Sequence, residues 1–199
     1  MLSEIRSSSS MTELLDLSGA NPWHTQSSRV VFDNGRLRLT EDQVLQPDGE
    51  PGSYTYLQMP LPVVAIVPVS DDGFVYLVRQ WRYPWQRNSW EIPAGHCELD
   101  EDLLHGAQRE LAEEVGLEAA TWEPLGMGFS SAAVDARYHL FLARTLAPAT
   151  GEQQREGTEH DLIARRVPLA DAIAAAMDGR IEHGISALGI LRAARRLGV

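Results

Sequence analysis

The pattern of apolar and polar residues predicts that the ordered part of the chain begins with strands. Residues 29–58 contain short alternating runs, which are typical of half-buried β-strands. Asn34-Gly35 is typical of a two-residue hairpin turn, and residues 47–49 (PDG) indicate a second turn before a third strand. Residues 63–69 (VVAIVPV) are continuously apolar, as expected of a strand that is covered on both faces.

The rest of the pattern mixes strands with helices. Further strands are predicted at 74–81, 138–146 and 162–169, and helices are predicted at 100–115, 169–177 and 184–197. Because strands outnumber helices and the helices lie among them, the predicted fold class is α+β with a mixed sheet. The Ser-rich residues 1–27 have little pattern and are interpreted as a loosely ordered tail.

Composition limits the class of protein. The 199 residues are 44% hydrophobic and 23% charged, which is typical of a globular protein of one domain. A single cysteine, Cys97, excludes an internal disulfide and fits a reducing compartment. The net charge of −11 argues against nucleic-acid binding. With no apolar run long enough for a bilayer and no secretory leader pattern, we expect a cytoplasmic protein without a membrane partner.

The predicted helix at 100–115 carries a concentrated group of acids. Glu110, Glu113 and Glu114 fall within five positions, and at 100° per residue they project from one side of the helix. A solvated face would interleave Lys or Arg at i+3 and i+4, but Arg109 is the only cation here. The crowding therefore indicates a site for Mg²⁺ or Mn²⁺, although an acidic solvated face stays the alternative.

The boundaries and inner face of this helix are also predicted. Asp100 is the expected N-cap, and Glu101 and Asp102 would occupy the first turn, where the helix dipole favours negative charge. Gly116 suits the left-handed residue that often follows a helix. The apolar stripe at four-residue spacing consists of Leu103, Ala107 and Leu111.

One motif resembles a known family. Gly95, five residues, Glu101, seven residues and then 109–117 (RELAEEVGL) resemble the complete Nudix box. The preceding residues 75–95 (VYLVRQWRYPWQRNSWEIPAG) and the PDG turn resemble ADP-ribose pyrophosphatases of that family. The resemblance covers roughly residues 28 to 195. It implies the Nudix α/β/α sandwich and hydrolysis of a nucleoside diphosphate linked to another moiety.

The resemblance implies roles for the box residues. Glu110 and Glu114 would be metal ligands, joined by the backbone carbonyl of Ala94, and the cofactor would be Mg²⁺ or Mn²⁺. Glu113 would bind a further ion or hold its water, and Arg109 would orient a carboxylate. A surface ion pair between Arg109 and Glu113 is compatible with that role.

Two other box residues have simpler interpretations. Glu101 is interpreted as structural rather than as a ligand. Gly95 would let the backbone approach the metal or phosphate, or it would serve as a plain turn glycine.

Substrate contacts are predicted less directly. Arg79 and Arg82 are candidates for phosphate or ribose contacts, with the alternative that they lie on opposite sides of a strand and one forms a surface ion pair. By the resemblance, Tyr56 stacks on the base, often from the partner subunit; packing within a strand is its alternative. Ala132 and Ala133 replace a Pro-Gly that ADP-ribose-cleaving members tend to carry, which leaves the choice of substrate open.

The general base is expected on the polar loop before residues 162–169. The resemblance favours Glu159, with His160, Asp161 and Glu156 as alternates, and an acidic surface loop without catalytic role as the other interpretation. A base there would take the proton of the attacking water.

Three functions are compatible with these residues. The first is hydrolysis of ADP-ribose or an ADP-sugar to AMP and a sugar phosphate; the second is the same reaction on a GDP- or UDP-sugar; the third is a non-catalytic ligand sensor, which would not need the intact box. The expected domains are a tail at 1–27, an N-terminal strand region at 28–60 and a Nudix hydrolase domain at 61–199. The strand region belongs to no complete sheet in this prediction, so it would contact a second subunit in a homodimer.

Overall fold

The computed structural model of the protein describes residues 17–150 and 161–199. The strands are β1 (His24–Asp33), β2 (Arg38–Leu45), β3 (Pro51–Gln58), β4 (Val63–Pro68), β5 (Phe74–Arg82), β6 (Arg87–Glu91), β7 (Ala94–His96), β8 (Leu117–Ser131), β9 (Val134–Pro148) and β10 (Ile163–Pro168). The helices are α1 (Leu103–Val115), α2 (Leu169–Met177) and α3 (Gly184–Leu197), and a short 3₁₀ helix follows β5 at Tyr83–Trp85. None of the helices in these two ranges is long and apolar enough to span a membrane.

The strands form one large and one small sheet. In the seven-stranded sheet, β9 pairs with β8 in antiparallel fashion along one edge. Along its other edge it pairs in parallel fashion, first with β3 and then with β4. The three-stranded sheet is antiparallel, in the order β10-β5-β6. The predicted α+β class with a mixed sheet is therefore confirmed.

Strand β4 separates two hydrophobic cores. Val64 and Ile66 pack on one face with residues of α1, and Ala65 and Val67 pack on the other face with residues of α2 and α3. All four side chains have no exposed surface. The prediction that this apolar run is covered on both faces is confirmed, and β4 supports helices on both sides.

Helix α3 packs very closely on the sheet. A Cβ atom on Gly189 would lie 2.8 Å from the Cδ1 atom of Ile92, so only glycine allows this approach without a shift. Helices α2 and α3 have the bounds that the sequence predicts. The amphipathic spacing of residues 184–197 is thus sufficient to locate α3.

The N-terminal strands differ from expectation in their connections. Strand β3 pairs with the start of β9 through Leu57–Val134 and Gln58–Asp135, so β1, β2 and β3 extend the large sheet. The expectation that this region belongs to no complete sheet is wrong, because the pattern of β3 does not reveal a partner so distant in sequence. Strand β1 also begins at His24, before the expected boundary at 28.

The first hairpin turn is longer than predicted. Residues 34–37 separate β1 from β2, rather than two residues. The side chain of Asn34 accepts hydrogen bonds from the N–H groups of Arg36 and Leu37, and Gly35 has a φ of 82°. The Asn-Gly pair does lie in the turn, and the side chain of Asn34 accepts hydrogen bonds within it, as is common for Asn in turns. Every residue of β1 is exposed on the outer edge of the sheet.

Candidate active site

Helix α1 begins later than predicted. The side chain of Asp102 accepts hydrogen bonds from the N–H groups of Leu104 (2.9 Å) and His105 (3.3 Å), so Asp102 is the N-cap. The predictions that Asp100 caps the helix and that Glu101 lies in its first turn are wrong. An aspartate anywhere near the start can cap a helix, and the choice depends on the loop geometry before it.

The end and the inner face of α1 follow the prediction. Gly116 is left-handed, with a φ of 73°, and its N–H bonds to the carbonyl of Ala112. Ala107 and Leu111 are completely buried, and Leu103 packs at the edge of the same core. This face fixes the rotation of α1 and thereby the direction of its three glutamates.

Two of the glutamates are buried against strand β7. Glu110 and Glu114 are only 5% and 1% exposed, although both are acids. Oε2 of Glu114 accepts a hydrogen bond from the N–H of Ala94 at 3.0 Å. A Cβ atom on Gly95 would lie closer than 3.0 Å to the carboxyl group of Glu110. Positions i and i+4 of α1 therefore direct both carboxyl groups at residues 94–95.

Arg109 connects the acids of the box. It donates two hydrogen bonds to Glu101 (3.0 and 2.9 Å), one to Glu110 (2.8 Å), one to Glu113 (3.0 Å) and one to the carbonyl of His96 (2.9 Å). The bonds to Glu101 raise the pKa of Arg109, and they lower the pKa of Glu101. Arg109 therefore bonds to three carboxylates at once, which is compatible with the orienting role that the resemblance implies. Glu101 lies before the helix and pairs with Arg109, so any structural role depends on this ion pair rather than on the helix dipole.

Glu113 is the most accessible of the three glutamates. Its side chain is 29% exposed, against 6% for Glu110, and it bonds to Arg109 across one turn of the helix. Within the described residues, no three acidic, His or Cys side chains form a ready-made metal cluster. The glutamates instead interact with Arg109 and with the backbone of 94–95.

Arg82, on strand β5, pairs with a buried carboxylate. It forms two hydrogen bonds with the fully buried Glu91, from Nε to Oε1 at 2.8 Å and from Nη2 to Oε2 at 2.5 Å. Burial alone would raise the pKa of Glu91, but bonds from Arg82 and His183 hold it at about 2. The bond to Glu91 raises the pKa of Arg82, and the charge of Glu114 raises it further. The positive charge of Arg82 and the negative charge of Glu114 therefore stabilise each other.

Arg79 lies on the other face of the same strand. It is paired across the sheet with Trp90, whereas Glu91 is paired with Val78. Side chains alternate along a strand, so Arg79 and Arg82 point to opposite faces. The Nε atom of Arg79 is buried and has no hydrogen-bond partner in the part of the chain that the structure describes. Arg82 therefore shares a face of β5 with the contact to Glu91, and Arg79 points to the opposite face.

Tyr56 lines a cavity on the N-terminal part of the large sheet. The cavity has a volume of about 760 Å³ and contains three further aromatic side chains, those of Trp23, Tyr54 and Phe129. Ala132 and Ala133, where the sequence departs from ADP-ribose-cleaving members, form part of its wall. Burial, followed by the nearby Asp42, raises the pKa of the Tyr56 hydroxyl.

Only one of the four candidate general bases lies among the residues that the structure describes. Glu156, Glu159 and His160 lie outside the described residues. Asp161 is described and is exposed at the start of the segment leading to β10. The choice among the four therefore stays a prediction from the sequence.

Two residues of the site were not singled out from the sequence. Glu91 lies between Trp90 and Ile92 at the end of a strand, and an acid between large apolar residues was the available signal. His183, the N-cap residue of α3, lies 3.0 Å from Glu91 through its Nδ1 atom. No sequence signal connects His183 with Glu91, because the contact depends on how α3 packs.

Comparison with known proteins gives the family. A family model described as "NUDIX domain" matches residues 59–186, which is more than half of the chain. The chain belongs to the Nudix family. A second model, described as "Nucleoside diphosphate sugar hydrolase N-terminal domain", matches residues 23–57. The resemblance stated from the box is confirmed, and the protein is a Nudix hydrolase.

Relatives agree with this assignment. The chain is 32% identical to the ADP-ribose pyrophosphatase of Mycobacterium tuberculosis, over 85% of this chain and 82% of that protein. It is 31% identical to the ADP-ribose pyrophosphatase of Bacillus subtilis, over 75% of this chain and 80% of that protein. A solved structure, "Crystal structure of ADP compounds hydrolase", covers 91% of this chain and 97% of its own with a TM-score of 0.78 at 20% identity. The Nudix sandwich fold is therefore confirmed.

The Nudix box residues fit a divalent cation. Carboxylate and carbonyl oxygens are the ligands that Mg²⁺ and Mn²⁺ prefer. Glu110 and Glu114 bring carboxylates to the backbone of 94–95, and the missing side chain of Gly95 leaves the space that the carboxyl group of Glu110 occupies. Glu113 adds an accessible carboxylate on the same side of the helix.

Proposed function

We propose that the protein hydrolyses the diphosphate bond of ADP-ribose or a related nucleoside diphosphate sugar, giving a nucleoside monophosphate and a sugar phosphate. The observation that carries this proposal is the convergence of Glu110 and Glu114 on residues 94–95, with Arg82 in the same electrostatic environment. The matches to the two family models and to the ADP-ribose pyrophosphatases support the class of substrate.

The proposed cofactor is Mg²⁺ or Mn²⁺, held by Glu110, Glu114 and the carbonyl of Ala94, with Glu113 for a further ion. Such an ion neutralises the charge of a diphosphate and lowers the pKa of a water molecule bound to it. Arg109 would keep the carboxyl groups of Glu110 and Glu113 in fixed directions, since it bonds to both.

Arg82 is the proposed phosphate contact. A guanidinium group presents several N–H donors in one plane, which suits a phosphate. Two donors of Arg82 are used by Glu91, and this bidentate pair fixes the plane of the group. Arg79 is a second candidate contact to the sugar or phosphate, because its buried Nε atom has no hydrogen-bond partner among the described residues.

Glu159 is the proposed general base. Glu159 lies in the segment that precedes β10 in the sequence, and it would accept a proton from the attacking water. Glu159→Gln should lower kcat by about 10²- to 10⁴-fold with little change in KM. His160→Ala, the matched variant one position along, should cost much less. The reverse order would move the assignment to His160, and near-normal activity in both would make Glu113 the first candidate.

A homodimer is the proposed assembly, and Tyr56 is the proposed base-stacking residue. Strand β1 is exposed along its whole length at the edge of the sheet and includes the apolar side chains of Val30, Val31 and Phe32. An apolar edge strand of this kind favours association with another chain. The cavity of Tyr56 would then complete the site of the second subunit. Light scattering at micromolar concentration should give twice the mass of one chain.

Another substrate is supported by one observation. Ala132 and Ala133 lie in the wall of the Tyr56 cavity, where ADP-ribose-cleaving members tend to carry Pro-Gly. A change of side chains in that wall would alter which nucleoside fits. GDP- and UDP-sugars are therefore the second class of candidate substrate.

A substrate panel tests the proposed function. ADP-ribose, ADP-glucose, GDP-mannose and UDP-glucose would each be incubated with Mg²⁺ or Mn²⁺, and the products separated by chromatography. We expect a nucleoside monophosphate and a sugar phosphate from at least one of them, and no product in EDTA. Glu114→Gln should fold normally by circular dichroism but lose orders of magnitude in kcat, because the proposed metal site loses a carboxylate ligand. Full activity in EDTA would refute the proposed mechanism.

A further inference from the structure

The carboxylate of Glu91 is held by side chains from two different elements. Arg82, on β5, donates to both carboxylate oxygens. His183, at the N-terminus of α3, lies with its Nδ1 atom 3.0 Å from Oε2. Because Glu91 is completely buried, these two side chains rather than bulk water determine where its carboxylate points.

The hydrogen-bond network identifies the donor between His183 and Glu91. The bidentate contact with Arg82 keeps Glu91 ionised, and an ionised carboxylate can only accept hydrogen bonds. The Nδ1 atom of His183 must therefore carry a hydrogen atom, and this N–H group donates a hydrogen bond to Glu91. The same atom lies 2.8 Å from Oγ of Ser186, so the N–H is shared between the two oxygens.

The position of His183 is fixed by the packing of α3 on β6. Ser186 is completely buried, and its Oγ atom accepts a hydrogen bond from the N–H of Ile92 at 3.0 Å. Ile92 directly follows Glu91, so this bond places the first turn of α3 beside the carboxylate. The ring of Trp85 lies 6.0 Å from the His183 ring at an interplanar angle of 55°. The imidazole therefore has contacts on several sides.

We propose that His183 is a positioning residue for substrate binding, which holds Glu91 so that Glu91 in turn holds the guanidinium group of Arg82 in one orientation. This inference rests on the proposed function, because it takes Arg82 as a contact to the diphosphate of the substrate. Neither His183 nor Ser186 would touch the substrate. They would act through Glu91 and Arg82.

The orientation of Arg82 matters because its side chain is long and a third of its surface is exposed. Without the donor from His183, Arg82 is the only partner left to the carboxylate among the contacts given above, so the paired groups can rotate together. Arg82 would then adopt several orientations, and ordering them would oppose binding of the substrate. The expected kinetic effect is a higher KM with a nearly unchanged kcat.

Three substitutions at one position separate this role from support of the helix. His183→Ala removes both the N–H donor and the side chain that precedes α3. His183→Ser supplies a good N-cap but is too short to reach Glu91. His183→Asn supplies a good N-cap and also an amide N–H close to the position of Nδ1. The three proteins, with the wild type, would be measured with the nucleoside diphosphate sugar that the wild type cleaves fastest, in Mg²⁺.

We expect His183→Ala and His183→Ser to raise KM about 10-fold, with kcat within about 2-fold of the wild type. His183→Asn should restore KM. His183→Ser should recover thermal stability relative to His183→Ala without recovering KM. If the serine variant restores KM, or if KM is unchanged while kcat falls with stability, then His183 only supports the fold and the inference is wrong.

A second measurement does not depend on activity. The ¹⁵N-labelled protein should show a separate Nε–H resonance for Arg82, identified by its loss in Arg82→Lys. We expect this resonance to persist in His183→Asn and to broaden or move to the position of solvent-exposed arginines in His183→Ala and His183→Ser. An unchanged resonance in all three variants would overturn the inference. If the wild type cleaves no nucleoside diphosphate sugar, the proposed function fails, and this resonance still decides whether His183 positions Arg82.

Discussion

The carboxyl group of Glu110 occupies the space in which Gly95 would carry a side chain. A Cβ atom built on Gly95 would lie closer than 3.0 Å to all three carboxyl atoms of Glu110. The glycine at the start of the Nudix box is therefore required for a close approach between strand β7 and a buried acid, rather than for a left-handed backbone. The metal ligands proposed here depend on that approach.

Gly95→Ala should displace the carboxylate of Glu110 while the fold persists. A misplacement of about 1 Å at a reacting centre can cost about 10²-fold, so we expect a fall in kcat of that order. Gly184→Ala is the matched control, because a Cβ atom there would meet nothing within 4 Å. The measurement is steady-state hydrolysis with Mg²⁺, together with circular dichroism. Equal activity of the two variants would contradict the role given to the contact between Gly95 and Glu110.

Arg109→Lys should be more damaging than a conservative change of charge suggests. Arg109 bonds at once to Glu101, Glu110 and Glu113, and a single ammonium group cannot reproduce those directions. We expect kcat to fall about 10- to 100-fold, as for other groups that orient metal ligands. Arg180→Lys is the control.

The control in this experiment is an exposed arginine with a single partner. Arg180 bonds only to Asp178 among the contacts that the structure describes, and its side chain is 66% exposed. Arg180→Lys should change neither kcat nor, by more than about 0.5 kcal/mol, the free energy of unfolding. A normal kcat for Arg109→Lys would show that charge alone, without the fork of donors, is sufficient.

The sequence predicted the parts of the fold that local pattern determines. The continuous apolar run of β4 predicts its two covered faces, and the amphipathic spacing of α2 and α3 predicts their bounds. The pairing of β3 with β9 could not be predicted, because no local signal in Leu57 or Val134 identifies a partner so far along the chain. Strand β8 was not predicted either, since its two glycines, its proline and its mixed pattern resemble a loop.

The candidate site likewise combines residues that could be predicted from the sequence with residues that only the packing brings together. Glu110, Glu113 and Glu114 could be identified from their spacing and from the family motif, because a helix places nearby positions on one side. Arg82 and Arg79 were equal candidates in the sequence, and only the contact with Glu91 distinguishes Arg82 from Arg79 on the opposite face of β5. His183 could not be identified at all. It reaches Glu91 only through the packing of α3 against β6.

The proposed exchange of Tyr56 between subunits can be tested by mixing two variants. Tyr56→Ala should raise KM about 10-fold if the ring stacks on a base. Glu114→Gln should abolish turnover. If Tyr56 completes the site of the other subunit, a mixed dimer contains one site with both changes and one site with neither. Unfolding and refolding the two variants together should therefore restore a population with the wild-type KM.

The comparison for the mixed sample is each variant refolded alone. Neither should gain activity on refolding, so any wild-type KM must arise in mixed dimers. A mixture that shows only the KM of Tyr56→Ala would place Tyr56 and Glu114 in the same chain's site. A monomeric mass in light scattering, with activity retained, would remove the exchange altogether.

The buried pair of Glu91 and Arg82 should make stability depend on pH in a specific window. The folded-state pKa of Glu91 is lowered to about 2 from its ordinary 4.5. Such a group contributes its full stability above pH 4.5, and the contribution is lost as the pH falls towards 2. Glu91→Gln should lower the free energy of unfolding by about 2 kcal/mol at pH 7, since Arg82 loses a charged partner but is partly exposed. The difference from the wild type should shrink between pH 4.5 and 2, measured by urea unfolding.

Asp178→Asn, at an exposed pair with Arg180, should change stability much less at every pH. A difference between wild type and Glu91→Gln that stays constant down to pH 2 would show that packing, rather than the charge on Glu91, is responsible.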